Sequence, residues 1–303
     1  MPLPEDYTTY PERKHGMDNP FYGWDPVDRR EKIALNDGTK AIATVIVPLE
    51  FFPLNPPSAP FKHPGAMQTQ YPDLRHYTVR DYGNRVGVFR LLQLFENAGI
   101  QATFAMNSDV ARRYPPLLES IRSAGHEIAA HGVSTAHIHH EGLPADEERS
   151  LIAQCRDVFP DATTWMSPAR NESTRTLELL AEAGFKVCLD WEADMRPFDM
   201  TTPSGAVMAI PHYNELSDMK LLLDRSQDEA SWVKQITDAA DDHLLRHTDE
   251  GAGAFAFTFT PYVAGQPFRI HAVEAILDAL NSREGLAIAP AAQVATAFAE
   301  ATP

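Results

Sequence analysis

Three residues of this 303-residue chain have types and positions suited to hydrolytic chemistry: Glu50, His131 and His137. Glu50 follows a continuous apolar, β-branched run, Ala41–Leu49. His131 follows the small residues Ala129 and Ala130, and His137 lies a short way further on. One carboxylate and two imidazoles are ligand types for a borderline divalent cation such as zinc, with open positions left for water. Such a cation polarises a carbonyl and lowers the pKa of its bound water. Without metal, the same residues offer Glu50 as general base on water and a histidine as general acid to a leaving nitrogen. Either arrangement hydrolyses an acyl–nitrogen bond. A serine nucleophile fits less well, because no G-x-S-x-G elbow occurs in the chain.

Residues so far apart in sequence need a frame that gathers them. Ala41–Leu49 has the texture of a strand buried on both faces. The Pro-rich stretch after it, to about His76, reads as a long loop, and long loops in compact domains tend to be functional. Beyond it, helical periodicity alternates with short apolar runs. Val86–Ala98 places Val88, Leu91, Leu92 and Phe95 at helical spacing, and Gly99 supplies the stop. Further helices are expected over Pro115–Ala124, Asp146–Val158, Thr174–Ala183, Ser231–Leu245 and Ala272–Asn281. Strands are expected over Ala102–Met106, Glu127–Ala130, Thr163–Met166, Lys186–Leu189, Val207–Ile210, Phe255–Phe259 and Leu286–Ile288. Strands separated mostly by helices imply parallel pairing with right-handed crossovers. The expected fold class is therefore α/β, a closed or nearly closed (β/α) barrel over 41–303, preceded by an N-terminal arm over 1–40. An open doubly wound sheet is the alternative, although no GxGxxG follows the first strand.

In parallel β/α folds, chemistry collects at the carboxyl ends of strands. That rule gathers Glu50, Asn107, His131, Arg170, Trp191, His212 and Tyr262 around one mouth. Each has a plain structural reading alone: a solvated loop acid for Glu50, a satisfied core histidine for His131, packing for the aromatics. Convergence on one face raises the set above its members. His139 and His140 read as loop residues, and His126 and Glu127 begin a strand and belong at the far end.

Composition narrows the function classes. The chain is 44% hydrophobic and 22% charged, ordinary for a globular protein, and its net charge of −16 argues against nucleic acid or an anionic membrane as partner. Cys155 and Cys188 are far apart and form no disulfide framework, and the N-terminus lacks a basic region followed by an apolar run. A cytoplasmic protein with a small-molecule substrate is the expectation.

The runs Arg80-Asp81-Tyr82-Gly83-Asn84-Arg85, Gln101-Ala102-Thr103-Phe104-Ala105, Gly125-His126-Glu127-Ile128-Ala129-Ala130-His131-Gly132 and Ser167-Pro168-Ala169-Arg170 carry a resemblance. With Asp190-Trp191 and Pro261-Tyr262-Val263-Ala264-Gly265, they resemble the polysaccharide-deacetylase superfamily, in its allantoinase-type and imidase-type branch. The resemblance implies a distorted, incomplete barrel, amide-bond hydrolysis and a homo-oligomer, dimer or tetramer. It implies one divalent metal, zinc before others, held by Glu50, His131 and His137, or no metal. It also offers Arg85 and Arg170 to hold a substrate carbonyl or carboxylate, with Tyr82, Trp191 and Tyr262 as pocket walls. The chain departs from the sugar deacetylases at three places. Pro48 stands where they carry a base, Thr135 where they carry a second histidine, and Thr260 where they carry a late histidine. A small cyclic amide, imide or ureide is thus the expected substrate. A metal-dependent de-N-acetylase of a small or carbohydrate substrate, and an inactive member serving as a binding or scaffold protein, are the alternatives.

Overall fold

Strand β1 (Ala41–Leu49) sets out the rest of the sheet, because its β-branched and small residues bury both faces. It pairs in parallel with β2 (Thr103–Met106) on one side and β8 (Gly253–Thr258) on the other. The computed structural model describes residues 19–66 and 72–302. From β2 the sheet continues in parallel through β3 (Glu127–Ala130), β4 (Thr164–Trp165), β5 (Val187–Cys188) and β7 (Gly205–Ala209). β6 (Phe198–Thr202) lies antiparallel on the β7 edge, and β9 (Leu286–Ile288) runs along the first residues of β1. The two ends of this sheet meet at a single parallel bridge, His212 to Ala256. The result is a curled, incomplete β/α barrel.

Nine α-helices surround the strands among the described residues: α1 (Leu74–Tyr82), α2 (Val88–Ala98), α3 (Ser108–Arg113), α4 (Pro115–Ser123), α5 (Ala145–Val158), α6 (Thr176–Glu182), α7 (Glu229–Glu250), α8 (Ile270–Asn281) and α9 (Ala291–Ala301). The helices that follow strong apolar spacing were legible. α2 buries Val88, Leu91 and Phe95 and stops at Gly99, whose φ of 67° needs a residue without Cβ. None of these helices is long and apolar enough to cross a membrane.

Side chains alternate across the strands and divide the core in two. Ile42, Ile46, Ala105, Ala129, Met166, Leu189, Ile210 and Ala254 fill the barrel interior, closed below by Ala291, Val294 and Phe298 of α9. Val45, Val47, Phe104, Trp165, Phe255 and Phe257 face the helices. The same alternation carries Glu50 to the inner side in step with Ile42 and Ile46, His131 in step with Ala129, and His212 in step with Ile210. Pro48 is tolerated in β1 because the ladder to β8 ends at Ile46.

Four elements were not expected. α1 buries none of its residues, so it shows no apolar stripe, and it ends the expected loop at Leu74 rather than at about His76. α9 is alanine-rich, α3 is a single short run, and β6 is a half-exposed hairpin strand, so the sheet has nine strands and one antiparallel pair. Of the expected arm, 19–40 holds no helix or strand. It is fastened by Thr201 N–H to the Phe21 carbonyl, Ala252 N–H to the Ile33 carbonyl, and an Arg30–Asp194 ion pair at 2.5 Å. Residues 1–18 lie outside the described residues. Cys155 and Cys188 are free and buried.

A π-helical turn, Gly83–Gly87, joins α1 to α2 and rests on the loop after β8. A Cβ on Gly87 would run into the backbone carbonyl oxygen of Pro261. Gly87→Ala is accordingly expected to cost about 1–3 kcal/mol of stability in urea unfolding, the penalty of overpacking a rigid contact.

Candidate active site

Glu50 leaves the end of β1 under tight backbone control. Asn84 of the π turn donates to the Glu50 carbonyl at 3.1 Å. Asn107, at the end of β2, accepts from Phe51 N–H at 2.9 Å and donates to the His131 carbonyl. One fully buried amide thereby couples Phe51, just past Glu50, to His131 at the end of β3.

The Glu50 Oε1 atom lies 3.3 Å from Nε2 of His131 and 3.1 Å from Nε2 of His63. All three side chains are at least nine-tenths buried. The other ring nitrogens are committed: His131 Nδ1 lies 2.8 Å from the Met166 carbonyl and His63 Nδ1 lies 2.6 Å from the Pro64 carbonyl. A carbonyl oxygen only accepts, so each Nδ1 carries a hydrogen. In the neutral rings, both Nε2 lone pairs therefore converge on one carboxylate oxygen. The His63 contact is close but poorly aligned, leaving its buried Nε2 without a proper hydrogen-bond partner. Burial alone would raise the Glu50 carboxyl, but the charges and hydrogen bonds of His63 and His131 hold it down at about 2. For His63, burial works against the charged ring and the Glu50 carboxylate overrides it, raising its pKa.

His63 was missed in the sequence. It lies in the long loop after β1 with no periodicity to mark it; the length of that loop was the only signal. His137 was expected in the cluster and is not brought there. It closes the turn begun by Ser134, its Nδ1 is 2.8 Å from Ser134 Oγ, and its ring is exposed. His139, read as a loop residue, is fully buried against Glu148 at 3.2 Å, within a network that includes Ser173 and Thr176. Glu127 does lie at the far end, where it accepts from Ala292 N–H at the start of α9.

The expected substrate-binding residues divide. Arg85 is 74% exposed and faces Asp81. Arg170, held at φ 52°, is occupied by Glu192 and the Asp190 carbonyl. Tyr82 donates to the Gly265 carbonyl. Trp191 donates to Glu172 and meets Phe21 and Tyr22 edge-on. His212 is buried between the Leu189 carbonyl and Thr258, and burial, then the Arg170 charge, keeps it neutral. Tyr262 stacks edge-to-face on Phe52 beside the cluster, its phenol raised first by burial and then by the Glu50 charge. A second group, Glu172, Cys188 and Asp190, sits close enough to hold an ion, but Cys188 belongs to the layer between sheet and helices. There burial and the neighbouring Asp190 push the Glu172 carboxyl well up.

Beyond Glu50, a narrow recess opens between Phe51, Phe52, Tyr77 and Tyr114, with Arg80, Asp81 and Asn84 completing its lining.

Residues 76–188 match the polysaccharide deacetylase family. That segment is similar to a polysaccharide deacetylase domain. A peptidoglycan deacetylase of Helicobacter pylori is 25% identical over 169 residues, covering 54% of this chain and 53%, about half, of that protein's length. Among solved structures, Puue allantoinase superposes with a TM-score of 0.76 at 19% identity, covering 97% of this chain and 99% of its own. A probable polysaccharide deacetylase from Pseudomonas aeruginosa gives 0.74 at 19% identity, covering 88% and 93%. At such identities these two structures speak to the fold.

The divalent metal that the resemblance implies meets a definite set of donors here. Glu50, His63 and His131 place a carboxylate oxygen and two imidazole nitrogens within 4.8 Å of one another. Histidines that ligate metals donate their other ring N–H to carbonyls or carboxylates, as both do here. The donor set fits, with His63 in the place expected for His137.

The position of the absent late histidine has another occupation. Asp218 accepts from Thr260 N–H at 2.7 Å and Thr260 Oγ at 2.8 Å, and so anchors the turn bearing Tyr262. Burial raises the Asp218 carboxyl from 3.8 to about 7, the hydrogen bonds offsetting only part. The folded protein then keeps a proton that the unfolded chain has released, so this group's stabilisation is full below about pH 4 and is lost as pH rises through 7. Asp218→Asn is expected to flatten the dependence of the urea midpoint on pH between about 4 and 7, read against the parent across that range.

Proposed function

We propose that this protein hydrolyses a non-peptide C–N bond in a small cyclic amide, imide or ureide. The observation that carries the reading is the convergence of His63 and His131 on Glu50, with both imidazoles pinned by backbone carbonyls. The likeness to an allantoinase runs over nearly the whole of both chains, and allantoin is a cyclic ureide.

Hydrolysis requires that water add to the acyl carbon, that the C–N bond break, and that the nitrogen leave with a proton. A divalent cation held by Glu50, His63 and His131 would polarise the carbonyl and acidify water. Glu50, held near 2, is too weak a base to be matched to a neutral-pH proton transfer, so it serves as an anionic anchor. Where no cation is held there, the imidazoles are instead the groups able to hold and return a proton at Nε2, since each Nδ1 is committed to a carbonyl. Asn107 fixes the spacing between the two strand ends, and Phe51 and Phe52 exclude water from one side.

Turnover should be followed on allantoin, hydantoin, dihydrouracil, succinimide and N-acetylglucosamine oligomers. At least one ring is expected to open, and Glu50→Gln and His131→Ala are each expected to lower kcat/KM by roughly 100-fold or more. Variants that fold normally and keep the parental rate would sink the assignment, and cleavage confined to N-acetyl sugars would replace it with de-N-acetylation. Elemental analysis of the purified protein is expected to give a divalent metal that falls in His63→Ala. Unchanged metal content in that variant would remove His63 from the ligand set.

A further inference from the structure

Arg80 supplies the positive charge in the lining of the Glu50 recess, and it has no carboxylate partner among the described residues. Its donors go to backbone carbonyls: Nε to Gly65 at 2.7 Å, Nη2 to the same oxygen, and Nη1 to His76 at 3.4 Å. The guanidinium lies 5.2 Å from the Tyr262 ring centre and 5.9 Å from that of Phe52. The nearby acids are taken, Glu50 by the two histidines and Asp81 by Arg85. A guanidinium has five N–H groups, so these bonds leave part of its fork free. The guanidinium is partly buried, and the aromatic faces beside it do not use its remaining N–H groups. A strongly accepting oxygen in the recess would complete it.

We propose that Arg80 receives a second carbonyl oxygen of the substrate, the one not under attack. This inference rests on the hydrolase reading and narrows it. Glu50 and Arg80 line one recess without pairing, so they mark two separate points on a bound molecule. A ring with two carbonyls, a cyclic imide or a ureide such as hydantoin, meets both points. A lactam or a cyclic urea with one carbonyl meets only one. Arg80 is then the residue that selects dicarbonyl rings, while Arg85 and Arg170 spend their charges on protein acids.

The same guanidinium ties down Gly65, two residues beyond His63, so the test must separate anchoring from clamping. The parent, Arg80→Gln and Arg80→Lys are titrated calorimetrically with succinimide against 2-pyrrolidinone and with hydantoin against 2-imidazolidinone. Steady-state constants are measured on any ring that is opened. The parent is expected to prefer the dicarbonyl ring by roughly 10-fold or more, the worth of one hydrogen bond to a charged donor. Arg80→Gln, which can still donate to Gly65, is expected to erase that preference through KM with a smaller change in kcat, and Arg80→Lys to restore part of it. Equal binding of both rings by the parent, or an unchanged preference in Arg80→Gln, overturns the proposal. So does loss of urea stability and kcat with the preference intact, which would leave Arg80 a loop clamp. If no ring is opened but the binding preference appears and vanishes in Arg80→Gln, the hydrolase reading fails and the Arg80 site stands.

Discussion

A carboxylate oxygen facing two imidazole nitrogens is stable only when something positive lies among them, whether protons on the rings or a cation. Here the backbone fixes which ring nitrogens face the carboxylate. The Pro64 and Met166 carbonyls take the Nδ1 hydrogens, so neither ring can turn its other tautomer toward Glu50. The rest of the site depends on that constraint. β1 and β3 bring Glu50 and His131 to one height because both pair with β2, and Asn107 locks the two strand ends together. The barrel interior below is packed with alanine and other small or aliphatic residues, so polarity is confined to the mouth.

The three positions that depart from the sugar deacetylases are each structurally occupied. Thr135 donates to the Phe51 carbonyl at 2.9 Å, steadying the backbone just past Glu50. Thr260 holds Asp218, and through it the turn that carries Tyr262. Pro48 lies past the end of the β8 ladder, where its missing N–H leaves no rung unmade. These side chains have been turned to supporting the mouth.

What could be read in advance follows a physical rule. Buried strands and helices with one apolar stripe announce themselves, as β1 and α2 did, because burial imposes periodicity. Strand-end geometry then located Glu50, His131 and His212 without contacts. α1 escaped because it buries nothing, and β6 because an edge hairpin needs only half a face. His63 and His137 show the limit most clearly. Both are loop histidines near the right strand ends, and only the path of each loop decides that one ring turns in and the other out. Arg80 and Arg85 present the same ambiguity along one run of chain.

The third ligand-type residue comes from a connection rather than from a strand. The barrel is held by β1, β2, β3 and their helices, and none of those contacts passes through His63. Architecture and coordination are thus separable in this chain. The frame can be kept while the loop after β1 is lengthened, shortened or exchanged, and each change would rewrite the donor set without disturbing a single rung of the sheet. Within such a fold, new chemistries are most readily acquired by altering a connector.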